Sequence, residues 1–285
     1  MDRCGYCGGE NEAGALLCGG CGSRLDEVGT QKLDNRPQAA RTRSLNALSA
    51  TLILLCDQAT MLLLGVGIAV VVYIVGVHQG YSGSDAMRKI HDKLIPFIGM
   101  AMPIVGGSAA VLLAFRLVPN QLRDRSPCGA ALVPGSRLGL LCAYLAGLAI
   151  PSAIYVIARV AHFHASHGHS DFDSIALSSG LAMRIGWAVL VVLVVPSIEE
   201  ILLRGIVYGG YRKSWGAFVA AAVTTAIFLA FHMPSAFQNL PRTVDLSVSA
   251  LGALWFRLRF RAIGPAIALH AGHNSMVTAL QLIAR

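Results

Sequence analysis

Apolar runs of membrane-spanning length recur from about residue 47 to the C-terminal end, separated by short polar breaks. About 20 apolar residues carry an α-helix across the hydrocarbon core of a bilayer. Runs of that kind lie near 56–77, 95–117, 137–160, 184–208, 215–234, 244–260 and 262–283, the sixth shortened by Arg257 and Arg259. Composition agrees. The 285 residues are 55% hydrophobic and only 13% charged, against about 25% charged in an ordinary soluble chain. Mean hydropathy is +0.61. So few charges cannot coat a water-exposed body of this size. The expectation is an all-α, polytopic transmembrane helix bundle of about seven spans, with no internal repeat.

Net charge is +8 and the isoelectric point is about 9.4. A basic soluble chain invites a nucleic-acid reading. Here the basic residues sit mainly between apolar runs, where they set membrane orientation. Nucleic acid is therefore not an expected partner; membrane lipids are. Arg116, Arg123, Arg125 and Arg137 mark one break, Arg212 and Lys213 another, and Arg257, Arg259 and Arg261 a third. With a basic stretch before the first run, these place the N-terminus in the cytoplasm and the break at 161–176, which has no Lys or Arg, outside. The break at 78–94, with Arg88, Lys89 and Lys93, fits this scheme poorly. No cleavable signal peptide is visible, so the first run is read as an anchor. Asp57 and Gln58 are read at the edge of that run. His162, His164, His167 and His169, with Asp171 and Asp173, crowd the external break; they suit either a solvated loop or a surface metal site.

Three parts follow from this organisation: a module at 1–24, a polar basic linker at 25–46, and a transmembrane domain at 47–285. In the first, Cys4, Cys7, Cys18 and Cys21 form two CxxC pairs ten residues apart. Each pair turns two thiolates toward one point, and four thiolates suit tetrahedral zinc. A small zinc ribbon is expected, its Zn2+ structural because four protein ligands close the site. Two disulfides are the alternative, disfavoured in a reducing compartment. Such a module can also bind a protein partner. Cys56, Cys128 and Cys142 read as apolar fillers.

Ionisable groups inside a span are expensive and ask for a reason. Glu199 and Glu200 follow Val191–Val195 and Pro196, with Arg204 four residues beyond Glu200. That spacing suits a helical ion pair, which neutralises Glu200. Glu199 points roughly 100° away around the helix and stays available for proton transfer. Pro196 interrupts the hydrogen-bond ladder just before the pair and predicts a kink. A second cluster is Phe228 with His232, and a third is His270, His273 and Asn274. His270 and Asn274 share a helix face, and Ala271 and Gly272 allow a neighbouring helix to approach closely. Measured along helices from the basic breaks, Glu199, His270 and Asn274 fall at roughly 14–20 Å of depth; His232 falls about one turn deeper.

The set Glu199-Glu200-xxx-Arg204, Phe228-xxx-His232 and His270-xxx-Asn274, in that order, resembles the CPBP family. This family includes the type II CAAX prenyl endopeptidases and bacteriocin-immunity-type proteins. The resemblance covers about residues 180–280. It implies an intramembrane endopeptidase acting on a membrane peptide or protein, in a multi-pass protein of a bacterial plasma membrane. By that resemblance Glu199 and His232 activate a water, His270 and Asn274 stabilise the oxyanion, and Glu200 with Arg204 holds the site together. The family has also been described as metalloproteases with Glu and His ligands. The HExxH zinc motif is absent from this chain, and hydrolysis with or without an active-site metal stays open at the level of sequence. Two other readings stand beside it: a catalytically silent scaffold or immunity-type protein that uses the ribbon for partner binding, and a transporter, which predicts repeated halves.

Overall fold

The computed structural model describes residues 2–4, 10–16, 18, 25, 45–78, 84–162, 180–233, 235–237 and 239–283. The described residues are mostly helical. In lipid, backbone N–H and C=O groups find no water, so a crossing segment must satisfy them within itself. The helices run Ala47–His78, Ser84–Leu117, Arg137–Val160, a long composite from Leu181 to Phe231, Leu240–Phe260 and Ile263–Ile283. The composite breaks at Gly216, whose φ of +83° is non-helical. That break divides it near the boundary expected between the fourth and fifth runs. Three stretches among the described residues are long and apolar enough to cross a membrane: Ala47–His78, Arg137–Val160 and Arg184–Phe231. The second helix begins at Ser84, so the break expected at 78–94 is much shorter.

Polarity is arranged inside out. Leu62, Leu63, Val160, Leu181 and Phe218 stand exposed on the periphery, while Glu200, Arg204 and Arg257 are buried. That is what a hydrocarbon surround selects: apolar side chains face lipid, and ionisable ones turn inward to one another. Glycine brings the Arg137–Val160 helix against the last helix. A Cβ on Gly147 would lie 2.0 Å from the Leu269 carbonyl oxygen, and one on Gly272 would lie 2.3 Å from that of Tyr144. The two backbones touch because neither position carries a side chain.

The segment between Leu117 and Arg137 is ordered by specific bonds. Gln121 Oε1 accepts from the Leu45 N–H at 2.6 Å, and Asp124 accepts from both the N–H and the hydroxyl of Ser126. Arg257 reaches into this loop and donates to the carbonyls of Ser126 and Gly129. On sequence alone Arg257 marks the membrane edge. It is instead fully buried at 0% exposure, and its guanidinium is spent on loop carbonyls. A second correction concerns Asp57. The first helix starts at Ala47, so Asp57 sits roughly 15 Å along it and is buried, accepting from Gln58 Nε2 at 2.7 Å.

At the N-terminus, Asp2–Arg3 pairs antiparallel with Glu10–Asn11, Asp2 opposite Asn11. Cys4 and Cys18 are buried together with Cys128 of the 118–136 loop, and Leu25 packs against them. Cys128 therefore lines the seat of the N-terminal module, a role its scattered position did not suggest. Cys7, Cys21 and nearly all of the linker lie outside the described residues, as do His164, His167, His169, Asp171 and Asp173.

Candidate functional site

The composite helix is locally unwound around the glutamates. Leu190–Val194 and Ile201–Val207 are π-helical, and the α-helical turn Val195–Glu200 is held between them. Proline explains the first. Residue 196 has no N–H to give, and the ladder shifts so that the Val195 N–H bonds Leu190 O, five residues back. Such bulges rotate the following turn relative to the preceding one and occur often at functional positions. The sequence predicted a kink here; the structure has two register shifts within a continuous helix.

Glu200 is fully buried at 0% exposure. Its Oε1 accepts from Arg204 Nη1 at 3.0 Å, the i, i+4 pair expected from sequence. The same oxygen accepts from His270 Nδ1 at 2.8 Å. Glu199 lies on the other side of that imidazole, its Oε2 3.9 Å from His270 Nε2. Adjacent carboxylates thus meet opposite nitrogens of one ring. Oε2 of each is buried with no hydrogen-bond partner among the described residues; they differ in that Glu200 Oε1 is held by two donors in a side chain 1% exposed, whereas the Glu199 side chain is 23% exposed.

Phe228 joins the second cluster to the first. Its ring carries the Arg204 guanidinium at 4.4 Å, stands edge-on to His270 at 5.8 Å, and lies 4.4 Å from the His232 ring. This explains physically why an aromatic residue stands four positions before His232. His232 caps the C-terminal end of its helix, with Nδ1 2.9 Å from the Phe228 carbonyl oxygen. A carbonyl only accepts, so Nδ1 carries the proton and the neutral ring keeps its lone pair on Nε2.

The last helix contributes two further contacts. Asn274 Nδ2 donates to Val191 O at 2.8 Å, so His270 and Asn274 face the same unwound helix, as their spacing predicts. His273, on a different face, meets both carboxylate oxygens of Asp245 at 3.0 Å through Nε2 and Asn274 Oδ1 at 3.1 Å through Nδ1. Arg242 pairs with Asp245 at 3.2 Å. The sequence alone gives His273 no task and does not single out Asp245. The signal was present: Asp245 is a carboxylate inside an apolar run, and the rule that such a group needs a partner points to His273. Among the described residues no group of three or more His, Cys, Asp or Glu side chains could hold a metal ion. Glu200, the best-buried donor at the site, is already committed to Arg204 and His270.

The model of the family described as Type II CAAX prenyl endopeptidase Rce1-like matches residues 180–276. That stretch begins at the composite helix, ends just after Asn274, and contains every residue of the cluster above. Neither the curated proteins nor the solved structures contain a match.

Proposed function

We propose, from the match of residues 180–276 to an endopeptidase family and from the chemistry of the cluster, that this membrane protein hydrolyses a peptide bond of a membrane-associated substrate. The observation that carries the reading is the asymmetry of the two carboxylates. Glu200 is neutralised by Arg204, orients His270 and is sealed at 1% side-chain exposure; Glu199 has no cation on it among the described residues, is 23% exposed along its side chain, and is the carboxylate a water can reach to give up a proton.

In this mechanism a water donates one hydrogen to Glu199 and a second to the lone pair of His232 Nε2. Its oxygen attacks the scissile carbonyl carbon as Glu199 takes the proton. The carbonyl oxygen becomes an oxyanion, which accepts from Asn274 Nδ2 and from His270 when Nε2 carries a proton. Preorganised donors at such a position are the largest single contribution in many hydrolases. Collapse breaks the C–N bond, and Glu199 returns its proton to the leaving amine. No step is routed through a metal, because the described residues of the cluster do not form a ligand set.

The test is cleavage of a quenched fluorogenic peptide ending in a prenylated CAAX sequence, by purified protein in detergent. The wild type should cleave it, and Glu199→Gln, which keeps the shape and removes the acceptor, should not, with an unchanged melting temperature. Full activity in that variant would refute the assignment of the base.

The N-terminal module fits a structural zinc held by Cys4, Cys7, Cys18 and Cys21. Cys4 and Cys18 are buried side by side, and thiolates are the ligands zinc prefers in closed sites. Its seat against the 118–136 loop makes it a module of the same face as the basic breaks, which the charge pattern assigns to the cytoplasm.

A further inference from the structure

Asn274 is held at both ends of its amide, and the reasons can be followed atom by atom. In the π register the donor due to Val191 O is residue 196, and residue 196 is proline. The Val191 carbonyl is therefore left without its helical partner, and a carbonyl buried in that state is costly. Asn274 Nδ2 supplies the missing bond at 2.8 Å. This fixes which end of the amide points where. Nitrogen faces Val191, so Oδ1 faces His273 Nδ1 at 3.1 Å. Two acceptors do not meet at that distance, and Nδ1 must therefore carry hydrogen. On the other side of the ring Nε2 meets the Asp245 carboxyl at 3.0 Å. One proton thus sits on Nδ1, and a second is shared between Nε2 and Asp245. Both residues are buried.

We infer that Asp245 and His273 are positioning residues for the peptidase reaction, acting through Asn274; the inference rests on the function proposed above. An asparagine side chain is nearly isosteric on rotation by 180°, and either end could face the substrate. The Val191 carbonyl at one end and the proton on His273 Nδ1 at the other together admit only one orientation. Val191 O takes one of the two N–H groups of Nδ2, and the second is directed at the oxyanion with no reorganisation during the reaction. Asp245 keeps the His273 ring in place, and Arg242 balances its charge at 3.2 Å.

Two measurements test this. The first is a double-mutant cycle with the fluorogenic prenylated peptide. His273→Phe should lower kcat by roughly 10- to 100-fold, the range expected when a catalytic group is misplaced, with KM little changed. In the Asn274→Ala background the same change should lower kcat no further. Losses that multiply would show His273 acting independently of Asn274 and overturn the inference. Asp245→Ala should lower kcat as His273→Phe does, and Asp245→Asn should restore most of that loss, because an amide at 245 can donate to Nε2 and still leave the proton on Nδ1; equal losses in the two variants would overturn the role given to Asp245. The second measurement needs no turnover. Histidine-ring 15N NMR of the wild type in detergent should show a protonated Nδ1 for His273, assigned as the signal that moves in Asp245→Asn. A ring protonated on Nε2 alone would sink the inference even if the protein cleaves peptides. A protonated Nδ1 in a protein that cleaves nothing would leave the hydrogen-bond relay intact and refute the peptidase reading instead.

Discussion

Glu200 and His270 are bonded at 2.8 Å through the same carboxylate oxygen that receives Arg204. One oxygen therefore ties three residues from two helices, and the orientation of the His270 ring depends on a charge balance inside the bundle. Arg204 is only 2% exposed and is sandwiched between Glu200 and the Phe228 ring.

Arg204→Ala should destabilise the protein more than any other single change at the site. It leaves Glu200 buried without its cation, for which about 3–5 kcal/mol is typical. Thermal melting in detergent should show a large drop or no folded protein, and Glu200→Gln in the same background should recover part of the loss. Equal melting of Arg204→Ala and wild type would mean that the pair is not closed in the membrane protein.

Pro196→Ala restores an N–H at the position due to bond Val191 O. It then competes with Asn274 for that carbonyl. The expected outcome is stability equal to or above wild type with a loss of activity on the order of tenfold or more, because the amide of Asn274 is released. Melting and kcat on the same preparation decide it; unchanged kcat would show that the bulge does not depend on proline.

Gly147→Leu should separate the Arg137–Val160 helix from the last helix, since even a Cβ there falls 2.0 Å from the Leu269 carbonyl oxygen. Backbone cannot move aside as a flexible side chain does. Overpacking of this kind costs about 1–3 kcal/mol or more. The check is thermal melting, together with cleavage rate, since His270 follows Leu269 directly. Gly186→Leu is the control: nothing lies within 4 Å of a Cβ there, and it should melt as wild type does.

The purified full-length protein should carry about one equivalent of zinc under reducing conditions, measured by elemental analysis. Cys4→Ser and Cys18→Ser should each lose it, and Cys142→Ser should not. Retention of zinc in the first two would move the metal elsewhere. Chelation should leave the helical signal intact and free the N-terminal module, because small metal modules fold only with their ion.

The sequence was most legible where the physics is local. The seven apolar runs correspond to seven helical rods among the described residues, because hydropathy and length directly constrain a chain in lipid. The pair Glu200 and Arg204 was readable from i, i+4 spacing, and the shared face of His270 and Asn274 from the same rule. What escaped depends on register and on three-dimensional closure. A proline announces a kink, but not whether the ladder answers with a π turn. Arg257 looked like an edge residue because its neighbours Arg259 and Arg261 do; only the folded loop shows the carbonyls that justify its burial. Asp245 lay in plain view within an apolar run, and its partner 28 positions away could be named only once two helices were side by side.

Gly216 decides the direction of the chain. By helical continuity alone, Arg184–Phe231 is one uninterrupted stretch. As a single rod its 48 residues would run roughly 72 Å, more than twice a hydrocarbon core, and would leave His232 roughly 50 Å from Glu199. The positive φ at residue 216 turns the chain back instead, so that Phe228 returns to lie over Arg204. There is open space around that position, so bulk is no obstacle; the backbone angle alone excludes most other residues. One residue without a side chain thus sets whether the rods before and after it run the same way or return on each other, and with it the end of the bundle at which every later loop emerges.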